Sequence, residues 1–258
     1  MSSDASPRVD RAGRVGIESA SASEIRSRKF TSAEQFARLA VELHSSGGTE
    51  ETVGAVVEFA LQALNCSHAG VALAWKQGRQ LEIPAVTHPV VAEIYQVQMG
   101  GQDGPLIESM RDHCVVRVDD TAVEDRWPDW AARVLELGVR SVLDVPLTTG
   151  KAMVGVLGLY SAHPSAFGPD EVAVAHILAR HASVAVANAR NEENLAAAVD
   201  ARKLVGQAMG ILMERFDLDG DRAFQVLRRY SQDSNRKLRD VAQDLIDTRK
   251  LPRSPEKP

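Results

Sequence analysis

The sequence predicts two domains in series. The first is an α+β domain with a mixed, mainly antiparallel sheet flanked by helices; the second is an all-α three-helix domain, joined to it by a long helix. Three observations carry this. Two pairs of short apolar segments flank turn signals, "HAGVALAW" with "QLEIPAV" and "VRSVLDVPLT" with "AMVGVLGLYS", which is how antiparallel hairpins read. Helical patterns are interleaved with them, so strands and helices mix. After Pro169 no glycine or proline interrupts the chain as far as Val205, a run of roughly 50 Å if helical.

The elements follow in order. Residues 1–28 are rich in Ser, Ala and Arg and are expected to be disordered. Thr31 and Glu34 have capping-box spacing and start a helix carrying Phe36, Leu39, Ala40 and Leu43 before Gly47 and Gly48. Thr49 is the expected cap of the next helix, with Val53, Val56, Val57, Ala60, Leu61 and Leu64 on its apolar face. Past the first hairpin, "HPVVAEIYQVQ" and "LIESMRD" read as helical, on either side of a "GGQDGP" loop. "CVVRV" reads as a short strand. "WPDWAARVLELG" reads as a helix with Pro128 in its first turn, where the missing N–H costs little. Gly168 caps the long helix, with Pro169 at its first position. Leu195, Val199, Leu204, Val205, Ala208, Ile211 and Leu212 fall near heptad spacing, which calls for a partner helix. The helix should end near Phe216. Asp219 then caps a second helix with Ala223, Leu227 and Tyr230, and Asn235 caps a third with Leu238, Val241, Ala242 and Leu245. The expected bounds are 29–190 for the first domain, its last helix continuing as a coiled-coil linker over about 169–200. The second domain is expected at 197–250, and a flexible tail at 251–258.

Composition narrows the function classes. With 44% hydrophobic and 25% charged residues the chain reads as a soluble globular protein. No apolar run approaches the roughly 20 residues of a membrane helix, and the N-terminus lacks the hydrophobic block of a signal peptide. A cytoplasmic protein with no membrane contact is expected. Two cysteines make no disulfide framework. Cys66, His68, His113 and Cys114 lack structural zinc spacings, and His176 and His181 lack companion ligands, so no metal is expected. No nucleophile elbow, phosphate loop or kinase signature appears; no catalytic residue is assigned and the chain is not read as an enzyme.

The net charge of −5 is unevenly spread: residues 197–258 hold 13 Lys+Arg against 10 Asp+Glu, and the rest 17 against 25. Within the basic tail, Arg228, Arg229 and Tyr230 sit just upstream of Asn235, Arg236, Lys237 and Arg239. On charge alone this is a solvated face. Beside a helix start, with its partial positive charge and free N–H groups, the same residues suit an anionic loop whose bases need a flat ring and hydrogen-bonding groups. Gly206 and Gly210 read as room for neighbouring helices, and Met213 with Met209 as packing.

Two stretches resemble known families. Residues 127–189, with their Gly-Val-Arg-Ser strand, Pro-Leu strand end, Gly-rich strand ending in Tyr-Ser and closing helix, resemble the second half of a GAF domain. "GQAMGILM", "AFQVLRRYSQ" and "NRKLRDVA" closely resemble an ANTAR domain. The resemblance implies a bacterial transcription antitermination regulator, in which a GAF sensor controls an ANTAR domain that binds nascent RNA as a dimer, at paired hairpins with small loops. It implies RNA contacts from Gln207, Met209, Gly210, Arg229, Tyr230, Asn235, Arg236, Lys237 and Arg239. Met209 departs from the family, where Lys is common. A homodimer through the long helix is expected. A small-molecule ligand of the GAF domain is left open and no cofactor is named. Two alternatives stand beside this: a DNA-binding regulator, since three short helices also describe helix-turn-helix proteins, and a small-molecule-binding signalling protein without nucleic-acid output.

Overall fold

The computed structural model describes residues 37–39, 41, 43, 47–75 and 80–250. The expected capping box at Thr31 and Glu34, the disordered start and the flexible tail lie outside the described residues. Leu39 and Leu43 are helical and buried.

The elements run α1 (Thr49–Ala63), β1 (His68–Trp75), β2 (Gln80–Val86), α2 (Pro89–Gly101), α3 (Pro105–Asp112), β3 (Val116–Val118), α4 (Pro128–Glu136), β4 (Ser141–Thr149), β5 (Ala152–Ser161), α5 (Pro169–Phe216), α6 (Gly220–Asp233) and α7 (Leu238–Thr248). The five strands form one sheet in the order β2-β1-β5-β4-β3, and every neighbouring pair is antiparallel. The predicted α+β class is the observed one.

Helices cover both faces of this sheet. On one side α1 and the first half of α5 pack through Val53, Val56, Ala60, Leu178, Ala182 and Val186 against Val71, Leu143, Val145 and Leu157. On the other, α2, α3 and α4 bring Ile94, Tyr95, Leu106, Trp130 and Val134 against Ala72, Val142, Val156 and Tyr160. Cover on both faces is why β4 and β5 read as continuous apolar runs; a strand with one wet face alternates.

One expected cap in the first domain differs from that observed. Gly48, not Thr49, is the cap of α1; Thr49 lies inside the helix and bonds elsewhere, as described below. His88 caps α2 by accepting from Val90 N through Nδ1. Gly168 and Asp219 are the caps of α5 and α6, as expected, with the Glu171 carboxylate accepting from Gly168 N at 3.0 Å.

α5 has 48 residues, about 70 Å, and serves three surroundings in turn. Ala175 to Ala189 lie on the sheet, every residue from Asn191 to Asp200 is exposed, and Ala208 and Leu212 enter the three-helix core with Ala223, Leu227, Val241, Ala242 and Leu245. Leu204, Val205, Ala208, Ile211 and Leu212 pack on α6 and α7 of the same chain, Ala208 and Leu212 fully buried and the others half-buried. And although no long unbroken apolar run exists, an 18-residue window of α5 reaches a mean hydropathy of 1.2, which meets the length and composition of a membrane span. Alanine and valine between isolated charges raise that mean. Packing on the sheet accounts for Leu178, Ala182 and Val186, while Ile177 and Val184 stay exposed.

Candidate nucleic-acid interface

The turn between α6 and α7 is built by hydrogen bonds the sequence specifies locally. Asn235 takes the left-handed conformation, φ 51°. Its N–H donates to Gln232 O at 3.2 Å, and Arg236 N donates to Ser231 O at 3.0 Å. These are the two bonds of a Schellman motif, with asparagine where glycine is commonest. The Ser231 hydroxyl donates to Arg236 O at 2.6 Å, and the Ser234 hydroxyl to Tyr230 O. Asn235 therefore ends α6; it does not cap α7, as the sequence suggested. The cap of α7 is Lys237, and among the described residues no side-chain cap bond is made there. The positive end of the helix is left open between Lys237 and Arg239.

Arg229, Asn235, Arg236, Lys237 and Arg239 are all exposed around this turn, as is Arg228. Tyr230 is half-buried and packs with Leu238 against the helical core. Three of the cations are paired: Arg229 with Asp233 at 3.6 Å, Arg239 with Asp240 at 3.2 Å, and Arg236 with Asp244. The Arg236 guanidinium holds the Asp244 carboxyl below the usual carboxylate range. Among the described residues Arg228 and Lys237 make no ion pair. Exposed pairs are worth little, so a phosphate can displace these carboxylates, with Arg228 and Lys237 free at the outset.

The remaining predicted residues lie elsewhere. Gln207 and Gly210 are exposed on α5. Met209 is half-buried, and its methyl group would lie 3.8 Å from a β-carbon placed on Gly220. Gly220 begins α6 and Tyr230 lies ten residues on, about 15 Å along the axis. Met209 thus packs toward the far end of α6 from the cationic turn.

Two side chains missed in the sequence fasten α5 where it leaves the sheet. Arg190 donates from Nη1 to Ala74 O of β1 at 3.0 Å. Glu193, one turn later, accepts from Thr49 N at 2.7 Å and from the Thr49 hydroxyl at 2.8 Å. The carboxylate thus meets free N–H groups at the start of α1. Their signal was weak, since both sit in an ordinary charged stretch of helix.

Among the described residues no three His, Cys, Asp or Glu side chains gather to hold a metal. Cys66 is half-buried with its thiol pushed up to about 11 by burial; Cys114 is exposed. An open groove of about 750 Å³ lies between α3 and the β4–β5 turn, with Leu81, Met110 and Met153 in its wall and Arg111, His113 and Lys151 at its rim.

Comparison with known proteins agrees with this division. The GAF domain family matches residues 48–186, and the ANTAR domain family residues 193–246. Among solved structures, the GAF domain of an Acinetobacter phosphoenolpyruvate-protein phosphotransferase is 14% identical, covering 64% of this chain and 98% of its own, with a TM-score of 0.48. The GAF domain of the corresponding Coxiella burnetii protein is 16% identical, covering 63% and 96%, with a TM-score of 0.49. The photosensory core module of the Stigmatella aurantiaca phytochrome is 11% identical, covering 83% of this chain and 46% of its own, with a TM-score of 0.54. That last likeness speaks to the fold alone. No curated protein matches the chain.

Proposed function

Since this chain belongs to the GAF domain family and carries an ANTAR domain behind it, we propose that it is an RNA-binding transcription antitermination regulator working on nascent RNA in the cytoplasm. Its GAF domain is the sensor, its ANTAR domain the output, and no catalytic step is assigned to either. The observation that supports the RNA reading best is the α6–α7 turn. An uncapped helix start, two unpaired cations, three displaceable ones and an aromatic ring share one short convex turn. A small RNA loop fits such a surface, with phosphates on the cations and a base on the ring. A duplex groove asks instead for cations along one helix face.

The test compares a paired-hairpin RNA with a single hairpin and with duplex DNA of equal charge. Lys237→Ala should lower the salt dependence of RNA affinity by about 0.7 log unit per log salt, as for one single-strand phosphate contact. Tyr230→Ala should cost about 1–3 kcal/mol of binding if the ring stacks on a base, with Tyr230→Phe retaining it. Asn235→Gly keeps the left-handed turn and so tests the amide alone. Equal binding of all three nucleic acids would reduce the turn to a general polyanion patch, and preference for the DNA would install the DNA-binding alternative.

Paired hairpins require two ANTAR domains. With one face of α5 taken by its own domain cores, the surface left for a second copy is the opposite stripe. Ile177, Val184, Leu195, Val199 and Met213, 40–68% exposed, recur there at multiples of about 3.6 residues, with Gly206 and Gly210 between them having no neighbour within 4 Å of an added β-carbon. A ten-residue exposed segment of single helix is marginal in water without a partner. Light scattering should return twice the 28.0 kDa chain mass. Leu195→Glu with Val199→Glu should return the single mass and weaken paired-hairpin binding, whereas a wild-type monomer at high concentration would remove the seam. A ligand in the groove beside α3 would then act by shifting the population of helix alignments, through the fastening of α5 at Arg190 and Glu193.

A further inference from the structure

On the sheet face covered by α2, α3 and α4, one cross-strand row reads Gly70, Gly158, Asp144. Two adjacent glycines leave the middle of the sheet floor without side chains, and Tyr95 of α2 descends into the gap. A β-carbon at Gly70 would lie 3.2 Å from the Tyr95 hydroxyl. One at Gly158 would lie 2.5 Å from the Tyr160 hydroxyl, 2.8 Å from that of Tyr95 and 2.9 Å from Asp144 Oδ1. Three polar groups therefore converge on one point. All three residues are fully buried; the two hydroxyls face each other, that of Tyr95 also meeting the Gly158 backbone, and neither carboxylate oxygen has a hydrogen-bond partner among the described residues. The two rings meet edge to face with centroids 6.2 Å apart.

Among the described residues nothing around this cluster supplies a positive charge. From α2 the facing group is Tyr95, while Glu93 lies at the surface beside Arg133 of α4. β5 contributes Tyr160. β3 meets Asp144 through Val116, and its Arg117 is paired with Asp119 at 2.9 Å. On α3, Arg111 is bound to Asp112 in solvent, and Glu108 only adds negative charge. On α4, Arg133 holds Glu136. A buried carboxylate without a cation is the unfavourable form. Burial accordingly pushes the Asp144 carboxyl up to about 8 and raises both phenols above their ordinary range.

We propose that Asp144, Tyr95 and Tyr160 form a proton-binding site that pins α2 to the sheet, and that loss of its proton releases α2. The neutral acid has an O–H to donate to a phenol oxygen and a carbonyl oxygen to accept from one, so a single proton lets all three groups pair. The ionised acid can accept from the phenols but meets no cation, so burial leaves its charge largely uncompensated. β4 and β5 are interior strands covered on both faces, so the element free to yield is α2, which carries Tyr95 out of the gap. The direction follows from linkage. Folded Asp144 keeps its proton to about pH 8, whereas an unfolded aspartate loses it near its ordinary 3.8. The stabilisation is complete below the lower value and is lost as pH rises toward the upper one. Between the two values closure of α2 weakens by up to about tenfold per pH unit, and above the upper one it changes no further.

The inference concerns the GAF domain alone, and RNA affinity is not its readout, so it and the RNA reading fail separately. The full chain at about pH 7 should show the infrared carbonyl stretch of an un-ionised carboxyl group that disappears at about pH 10 and is absent in Asp144→Asn. Amide exchange over residues 89–101, corrected for the intrinsic rate, should quicken by up to about tenfold per pH unit between about pH 5 and pH 7 and level off above about pH 8 in the wild type, and stay level throughout in Asp144→Asn. Should that variant fail to fold, the two wild-type measurements decide. An absent un-ionised band at pH 7, or protection of α2 that does not change between pH 5 and pH 7, overturns the proposal.

Discussion

Replacing Leu227 with alanine is expected to unfold the ANTAR domain and abolish RNA binding, while the GAF domain melts as before. Leu227 is fully buried between α5, α6 and α7, in a core of seven buried residues, three of them alanines. A buried leucine truncated to alanine costs about 2–5 kcal/mol. A helical unit of this size rarely has more than about 3–5 kcal/mol in total, so one substitution consumes its stability. The GAF cores share no residue with this one, and the exposed stretch Asn191–Asp200 separates them. Circular dichroism should show a loss of helix in the native baseline, and denaturation should keep one cooperative transition. If the variant retains both its helix content and its RNA affinity, Leu227 is not central to that core.

Gly155→Ala should have a still larger effect, confined to the GAF domain. A β-carbon there would lie 2.3 Å from Ala72 O and 3.1 Å from Leu73 Cα. Both are backbone atoms of β1, paired with β5 through Leu73↔Gly155 and Ala72↔Val156. Relief requires parting two central strands. We expect a loss above the common range of about 0.5–3 kcal/mol for point substitutions, seen as insoluble protein or a collapsed urea midpoint. Gly54→Ala is the matched contrast. Gly54 lies within α1 with nothing inside 4 Å of an added β-carbon, so alanine there should stabilise by about 0.5–1 kcal/mol. Equal effects at the two glycines would show that close approach of the strands does not govern Gly155.

Asn235 shows why the candidate site was only partly legible in sequence. Asparagine is favoured both as a helix N-cap and in the left-handed position that ends a helix. Both uses place it between two apolar helical patterns, so the residue type does not separate them. The choice fell to Ser231, whose backbone and hydroxyl tie the turn to Arg236. The cationic residues of the turn were legible, because their order along the chain is local. The packing of Met209 near Gly220 was not, because it depends on where α6 begins in space.

What the sequence determined by itself was local. Alternating and continuous apolar runs with turn residues between them specified the hairpins. Pro169 and the acids after it set the start of α5, and Asp219 that of α6. All these signals act within a few residues, where backbone sterics and nearby hydrogen bonds decide the outcome. The tertiary structure decided which apolar face is used and which polar group is stranded. Periodicity marks Leu204, Ala208 and Leu212 as a stripe, but a stripe does not say whether its partner lies in the same chain. Folding gave it to α6 and α7, leaving Ile177, Val184, Leu195 and Val199 uncovered. Asp144 was a lone acid in an apolar strand. Only the strand register, which set it beside Gly158 and under Tyr95, removed it from water without a counter-charge, because burial is a property of everything packed around a group and not of its neighbours in sequence.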